Sequence, residues 1–369
     1  MNNNAFIPLM VPDIHQEDID AVSAVLRSGM LVQGVKVAEL EAKVAEYIGI
    51  KNAIAVSNGT SSLYLALLAL GIGKGDEVIV PAFSFMATAN VVELIGAKPV
   101  FVDISIETFN IDINLIEKAI TRRTRAIIPV HEFGLACDIK EIICIAKKYN
   151  LKVIEDAACA FGATEDNKYT GTFGDVGSFS FHPRKAITSG EGGMLTTHDD
   201  ELARKLRALR NHGIEIQDGK TEFYFAGFNF RMTDFQAVLL VSQLTRLNDI
   251  LEYKDKLAQT YFTGLQDSDK LKLPLVPQNK KHTWQSFHVV LNDNIDRDAL
   301  IIQLKEKGIG TNLGAQCMPF QKFFIEKYKL NCSQLFPNAM KAYLKGLVLP
   351  LYGLLDENNI RYICSSLKK

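Results

Sequence analysis

The sequence has no excess of basic residues and few cysteines for its length. Its 41 Lys and Arg residues balance 42 Asp and Glu residues, so the formal net charge is −1. This balance removes the bulk-charge argument for binding nucleic acid or an anionic membrane. None of the 6 cysteines forms a C-x-x-C pair or lies at zinc-finger spacing from the histidines, so no metal site is predicted.

The sequence also shows no long hydrophobic run and no pattern typical of a signal peptide. The longest apolar stretch, near 63–72, is well short of a membrane span. The amino-terminal sequence MNNNAFIPLMVPDI has no basic region followed by an apolar one. We therefore expect a cytoplasmic protein with reduced thiols that binds neither membrane nor nucleic acid. The 369 residues, 47% of them hydrophobic, are enough for two domains with a sizeable core.

The first two-thirds of the chain alternate helical patterns with short apolar or β-branched runs. Runs such as 77–81 and 126–130 are nearly continuous in apolar residues, which is typical of parallel strands buried on both faces. This order predicts an α/β fold, with a three-layer large domain in which helices cover a mostly parallel sheet. One long helical pattern over 233–265 leads into a smaller α+β domain. We predict domains at 1–245 and 246–369.

A Ser-Asn-Gly-Thr-Ser-Ser segment at 57–62 joins a predicted strand to a predicted helix. The first N–H groups of a helix lack intrahelical partners, so such a helix end accommodates a phosphate. A simple capped helix is the alternative explanation. The Walker-loop lysine is missing, and GIGKGD at 71–76 does not match the dinucleotide fingerprint. An oxidoreductase with a nucleotide cofactor is therefore poorly supported.

Two charged residues point to a more specific cofactor. Asp156 follows a predicted buried strand, where an unpaired carboxylate is costly. Its expected partner is a structural Arg, a helix N-terminus or the protonated nitrogen of a pyridine ring. Lys185 lies among Ser, Gly and aromatic residues in SFSFHPRKAITSGEGG, a setting that suits a Schiff-base lysine. A phosphate cradle, an acid and a sheltered lysine, in this chain order, indicate pyridoxal phosphate.

Several longer motifs resemble one known family. The segments GDEVIVPAFSFMATAN, VIEDAACAFGA, GDVGSFSFHPRKAITSGEGGML and GFNFRMTDFQAVLL resemble the DegT/StrS-type sugar-nucleotide aminotransferases, from about Pro8 to the carboxyl terminus. The resemblance implies the aspartate-aminotransferase fold (fold type I) and pyridoxal phosphate as cofactor. It also implies a homodimer with shared active sites, and transfer of an amino group from L-glutamate to a nucleotide-linked keto sugar.

The resemblance further implies roles for individual residues. Lys185 would bind the cofactor and move the proton, Asp156 would pair with the pyridine nitrogen, and Phe85 would stack on the ring. Four residues would hold the phosphate: Gly59, Thr60, Ser180 and, across the subunit boundary, Asn229. Cys159 stands where many relatives have Gln, Glu or His beside the phenolic oxygen of the cofactor. Because a thiol is a weak donor, we expect tuning of that oxygen to come from elsewhere.

Three further residues are candidates for substrate binding: His131, Arg231 and Lys281. His131 follows an apolar strand end and faces either the substrate or the core, where its ring nitrogens would be satisfied internally. Arg231 and the Lys280–Lys281 pair are candidates for binding the donor carboxylate or a nucleotide pyrophosphate. The alternative for each is a solvated surface charge.

The sugar position is also addressed by resemblance. The loop around Lys185 and the GTNLGA stretch at 310–315 resemble enzymes that aminate C-4 of a 6-deoxy sugar. We therefore expect a dTDP- or GDP-linked 4-keto-6-deoxyhexose, used for amino sugars of O-antigen or other surface glycans, with C-3 amination as the first alternative. A sugar dehydratase of this fold would carry His in place of Lys185. A non-catalytic regulatory relative would have lost part of the site.

Overall fold

The computed structural model of the chain describes residues 6–368. Helices and strands alternate along most of it. The helices are α1 (Gln16–Ser28), α2 (Val35–Ile48), α3 (Gly59–Ala69), α4 (Ala87–Leu94), α5 (Ile113–Ala119), α6 (Ile139–Tyr149), α7 (Asp200–Arg210), α8 (Asp234–Leu244), α9 (Leu247–Leu265), α10 (Arg297–Glu306), α11 (Lys322–Tyr328), α12 (Cys332–Leu335), α13 (Pro337–Lys345) and α14 (Glu357–Lys368). The strands are β1 (Asn52–Val56), β2 (Glu77–Pro81), β3 (Phe83–Ser84), β4 (Lys98–Val102), β5 (Thr124–Ile127), β6 (Lys152–Asp156), β7 (Thr164–Glu165), β8 (Lys168–Tyr169), β9 (Val176–Ser180), β10 (Gly193–Thr197), β11 (Ile214–Gln217), β12 (Lys220–Phe223), β13 (Leu271–Lys272), β14 (Lys280–Lys281), β15 (Phe287–Leu291), β16 (Gln316–Cys317) and β17 (Gly346–Leu349).

A seven-stranded sheet with the order β1-β10-β9-β6-β5-β2-β4 forms the centre of the molecule. The strands from β9 to β4 pair in parallel, whereas β10 runs antiparallel to both of its neighbours. The register sets Asp156 of β6 beside Ser178 of β9. The expected α/β fold with a mostly parallel sheet is confirmed.

Helices cover both faces of this sheet, which explains why its strands are mostly apolar. Val78 and Val80 of β2 pack into a cluster with α3, whereas Ile79 between them packs on the opposite face with α5 and α6. Successive side chains of a strand point to opposite faces, so a sheet covered twice favours apolar residues along the whole strand. The sheet is therefore buried, and the few polar side chains within it, such as Ser178 of β9 and Thr196 of β10, are buried as well.

The carboxyl-terminal part contains a second, antiparallel sheet of order β13-β15-β17. The expectation of one continuous helix over 233–265 is wrong, because the chain breaks between α8 and α9. At the break, the Arg246 guanidinium binds the Asp18 carboxylate over 2.6 Å and 3.0 Å. Helix α8 packs on α1 and α2, and α9 packs on α14. The division into domains after residue 245 stays a prediction.

Across residues 6–368, no helix combines the length and apolar character that a membrane crossing needs. The same part of the chain contains no cluster of three or more His, Cys, Asp or Glu side chains arranged to hold a metal ion.

Candidate active site

The candidate site lies where two parallel strands end beside the start of a helix. Asp156 is the last residue of β6, Ser180 is the last residue of β9, and Gly59 is the first residue of α3. Ligands of parallel sheets bind at the carboxyl ends of the strands. The fold therefore brings three residues that the sequence analysis selected to one edge of the sheet.

Asp156 is buried, and both of its carboxylate oxygens accept hydrogen bonds. The Thr88 hydroxyl donates to Oδ2 over 2.8 Å, and the Ala158 N–H donates to Oδ1 over 3.2 Å. Burial raises the pKa of Asp156 above its ordinary value, while these two donors and the charge of Lys185 oppose the rise. A buried carboxylate in this position stabilises a cationic partner.

The start of α3 lies where the sequence predicts an anion cradle, and its first N–H groups lack intrahelical partners. The Asn58 side chain caps the helix by accepting the Ser61 N–H over 2.8 Å. The N–H groups of Gly59 and Thr60 lie in the first turn, where they have no intrahelical partner. A Cβ atom at Gly59 would lie 2.9 Å from Cβ of Ser180, so only glycine allows this close approach. Helix N–H groups and a serine hydroxyl converge as phosphate recognition requires.

Lys185 lies in the loop after β9, and its side chain reaches Cys159. The Lys185 backbone N–H donates to the His182 carbonyl over 2.8 Å, and its Nζ donates to the Cys159 sulfur over 3.1 Å. Burial, the largest effect, raises the pKa of the Cys159 thiol. The thiol is therefore neutral near pH 7 and forms no ion pair with the lysine.

Phe85 contrasts sharply with its neighbours in the chain. Its side chain is 71% exposed, whereas Phe83 and Ser84 just before it are buried. The ring of Phe85 is thus accessible, as the stacking on a cofactor ring that the resemblance implies would require. Together with the cradle, the buried acid and the neutral contact of Lys185, this ring gives a set of residues that fits pyridoxal phosphate. The individual cofactor contacts stay predictions.

Asn229 and Arg231 lie on the segment that precedes α8. Asn229 is exposed, and the chain there forms a bridge with Asn211. The Arg231 guanidinium donates to the Asn211 side chain. The rings of Phe228 and Phe230 stack at 4.8 Å and pack against the core of their own chain. The apolar character of this loop is thus satisfied within one chain and is not by itself evidence of an interface.

His131 is a core histidine, the second of the two expectations for it. The ring is fully buried, its Nδ1 accepts the Cys137 N–H over 3.0 Å, and its Nε2 lies 3.0 Å from Glu155. Since Nδ1 accepts, Nε2 carries the proton and donates it to the carboxylate. Both nitrogens are engaged, so the structure offers no free polar atom of His131 to a substrate.

Lys280 and Lys281 differ in burial. Lys280 is not a surface charge, because its Nζ is buried against the Asp138 carboxylate and the Ala136 carbonyl. Lys281 is exposed and lines a cavity of about 740 Å³ beside α9. Of the two, only Lys281 has its charge free to meet an anion, and its role in substrate binding stays a prediction.

Two buried ionisable residues close to Lys185 were missed by the sequence analysis. Burial raises the pKa of Glu132 to about 7, and repulsion by Asp156 adds to this. Burial lowers the pKa of Lys254 to about 8, with its Nζ unpartnered among the described residues. The sequence contains a signal for each of these two residues. Glu132 follows a strand end, and Lys254 shares the apolar face of α9 with Leu251 and Ala258.

The chain is similar to known proteins over nearly its whole length. The model of the DegT/DnrJ/EryC1/StrS aminotransferase family matches residues 12–368. The chain is 37% identical to the spore coat polysaccharide biosynthesis protein SpsC of Bacillus subtilis, over 97% of this chain and 95% of that protein. It is 37% identical to the uncharacterised protein MJ1066 of Methanocaldococcus jannaschii, over 100% of this chain and 98% of that protein.

Solved structures with the same fold include two aminotransferases. Spr1654 of Streptococcus pneumoniae, described as a sugar aminotransferase and solved in pyridoxal and pyridoxamine phosphate forms, is 28% identical. In the pyridoxamine form its TM-score is 0.93, over 98% of this chain and 97% of that one. Helicobacter pylori PseC, an aminotransferase of pseudaminic acid biosynthesis, is also 28% identical with a TM-score of 0.93, over 98% of both chains.

The chain belongs to the DegT/DnrJ/EryC1/StrS aminotransferase family and is a sugar aminotransferase that uses pyridoxal phosphate. The family, fold, enzyme class and cofactor expected from the motifs are confirmed.

Proposed function

We propose that this sugar aminotransferase transfers the amino group of L-glutamate to the C-4 ketone of a nucleotide-linked 4-keto-6-deoxyhexose. The observation that carries the proposal is the convergence of Lys185, Asp156 and the Gly59–Ser180 cradle at one edge of the sheet. The product would be an amino sugar for a surface glycan such as O-antigen. The names of SpsC and PseC, which refer to a coat polysaccharide and to pseudaminic acid, support this use.

Each residue of the site has a distinct part in the proposed reaction. Bound pyridoxal phosphate supplies an electron sink for the carbon that loses its proton. Asp156, held by Thr88 and Ala158, would keep a proton on the pyridine nitrogen. The Lys185 amine takes the proton from one carbon and returns it to another. The α3 cradle anchors the phosphate, so that the reacting carbons stay within reach of Lys185.

The choice of C-4 over C-3 rests on the loop around Lys185 and on residues 310–315. Position is set by where the nucleotide is anchored relative to Lys185, because a shift by one ring carbon moves the ketone out of attack distance. Arg231 and Lys281 are the proposed anion contacts, for the donor carboxylate or for the pyrophosphate. We favour dTDP over GDP as the nucleotide.

We also propose that the enzyme is a cytoplasmic homodimer with Asn229 completing the site of the neighbouring subunit. An exposed apolar patch supports this arrangement. Its residues Met30, Val32 and Val35 are 68–77% exposed. The patch lies beside α8, because the Gly34 N–H donates to the Asp234 carboxylate over 2.7 Å. An apolar patch of this kind is characteristic of a protein interface.

The decisive experiment offers the cofactor-loaded enzyme L-glutamate with dTDP-4-keto-6-deoxyglucose and, separately, with its 3-keto isomer and the GDP counterpart. NMR locates the new amine, and mass analysis detects any dehydrated sugar. We expect amination at C-4 and formation of 2-oxoglutarate. Amination at C-3 alone would refute the position. Loss of a hydroxyl group would favour the dehydratase, and no turnover of any sugar would favour a regulatory protein.

A further inference from the structure

Glu132 and Ser180 lie on opposite sides of Asp156 in the central sheet. Strand β6, which ends at Asp156, lies between β9 and β5. Ser180 ends β9, whereas Glu132 follows β5 through Val130, which forms a bridge with Asp156. The next N–H, that of His131, donates to the Asp156 carbonyl over 3.0 Å. The backbone before Glu132 is therefore tied to the strand that carries the acid.

This order decides which edge of the cofactor faces Glu132. In pyridoxal phosphate the phosphate arm and the phenolic hydroxyl flank the carbon that bears the aldehyde, on opposite edges of the ring. If Asp156 held the ring nitrogen and the phosphate lay on the Ser180 side, the phenolic oxygen would face the β5 side. Glu132 follows β5 and is ionisable, and its charge interacts with the charges of both Asp156 and Lys185.

The Glu132 carboxyl is buried and incompletely satisfied. Only 4% of the residue's surface is exposed, and its Oε2 atom has no hydrogen-bond partner among residues 6–368. The backbone is fixed, because the Glu132 N–H donates to the Asn110 side chain over 2.8 Å. A buried carboxyl oxygen without a partner is costly, so a ligand group that pairs with it is expected.

Of the carboxyls of Asp156 and Glu132, that of Glu132 is the one with an oxygen that no donor in the described chain reaches. Asp156 has a donor on each oxygen, whereas the donors near Glu132, the Ser84 hydroxyl and the Phe133 N–H, leave its Oε2 without a partner among residues 6–368. Burial, with repulsion by Asp156, raises the pKa of Glu132 to about 7, and the charge of Lys185 opposes the rise. Two close carboxyls with different donors separate into an anion and an acid. The protonated form of Glu132 is therefore well populated near pH 7, and in that form the carboxyl has an O–H to donate.

We propose that the Glu132 carboxyl donates a hydrogen bond to the phenolic oxygen of bound pyridoxal phosphate. It supplies the donor that the Cys159 thiol, although it contacts Lys185, provides only weakly. The inference rests on cofactor binding at Lys185 and is independent of the sugar substrate proposed above.

The first test measures cofactor binding with and without the phenolic oxygen. Equilibrium dialysis gives the dissociation constants of pyridoxal phosphate and of 3-deoxypyridoxal phosphate for the wild type, Glu132→Met and Glu132→Gln. We expect Glu132→Met to weaken binding of pyridoxal phosphate by about tenfold or more, as for a lost bond to a charged group. Binding of the 3-deoxy analogue should be unchanged in all three proteins. Glu132→Gln keeps a donor and should retain most of the wild-type preference.

The second test is spectroscopic. Glu132→Met should raise the pH midpoint of the visible absorbance of the cofactor–lysine adduct, by about one pH unit for a tenfold effect. The reason is that a phenolate without its donor holds the shared proton more tightly. Cys159→Ala, the matched control, should shift the midpoint less. An unmoved midpoint in Glu132→Met, or equal weakening of both cofactors, overturns the proposal. If Glu132→Met does not fold, a wild type that fails to prefer pyridoxal phosphate over the analogue overturns it instead.

Discussion

The Nζ atom of Lys185 lies 3.1 Å from the Sγ atom of Cys159 and donates a hydrogen bond to it. Because burial raises the pKa of the thiol, this partner is neutral and does not hold the ammonium group as a carboxylate would. The site thus keeps its reactive amine in a defined position without an ion pair that has to be broken. A lysine placed in this way is suited to covalent chemistry with a carbonyl group.

Lys185 is predicted to be the residue that binds the cofactor covalently. Borohydride reduction of the loaded enzyme, followed by peptide mapping, should place the label on Lys185. Lys185→Ala should still bind pyridoxal phosphate noncovalently, since the α3 cradle and Asp156 remain, but should turn over no substrate. The control Lys152→Ala removes an exposed lysine at the far end of β6 and should keep the label. A label on another lysine would refute the assignment.

Asp156→Asn should reduce transamination by roughly a hundredfold or more, the usual cost of losing a preorganised charge in an active site. A neutral side chain no longer keeps the pyridine nitrogen protonated, so the cofactor becomes a poorer electron sink. Single-turnover kinetics and the cofactor spectrum check this. Asp175→Asn is the control, because Asp175 binds the Val153 N–H at the opposite end of β6. Near-normal turnover with an unshifted spectrum in Asp156→Asn would show that the pairing is absent.

Asn229 is predicted to act in the active site of the neighbouring subunit. Lys185→Ala and an inactive Asn229→Ala variant are mixed under conditions of subunit exchange. If Asn229 acts across the interface, a mixed dimer has one site with both lesions and one intact site, so activity returns. If it acts within its own chain, every site keeps one lesion. Verified exchange without recovery of activity would therefore contradict a shared site.

Lys254→Met should stabilise the protein at pH 7. Burial lowers the pKa of Lys254 from 10.5 to about 8, which corresponds to about 3 kcal/mol of unfolding free energy at about 1.4 kcal/mol per pH unit. Since the folded-state pKa is depressed, the wild type recovers this stability as the pH rises from about 8 to 10.5 and lacks it below 8. The advantage of the methionine variant should accordingly shrink above pH 8.

Thermal denaturation at pH 7 and at pH 10 checks this dependence. The control is Lys256→Met, two residues along α9, where the lysine is exposed and pairs with Glu357. An exposed pair of this kind contributes at most about 1 kcal/mol, so the control should change little at either pH. A methionine variant at position 254 that is less stable than the wild type at pH 7 would show that Lys254 has a partner.

The sequence predicts the parts of the site that lie in contiguous motifs. The segment at 57–62 and the segments around Asp156 and Lys185 each follow a strand directly, and strand ends of a parallel sheet meet at one edge. Local pattern therefore suffices to select them. The break between α8 and α9 is different, because it depends on Arg246 reaching Asp18, 228 residues away. The helical pattern of the sequence is local, so it cannot reveal a contact between residues so far apart in the chain.

The sequence by itself determined the family, the parallel sheet and the order of cradle, acid and lysine, because these depend on local periodicity and on motifs read along the chain. Only the tertiary structure decided which other polar groups share the site. The His131 ring pairs with Glu155, the Oε2 atom of Glu132 has no partner among residues 6–368, and Lys254 is buried near Lys185. Burial and partnership arise from packing between segments far apart in the chain, and desolvation then sets the charge that each group carries.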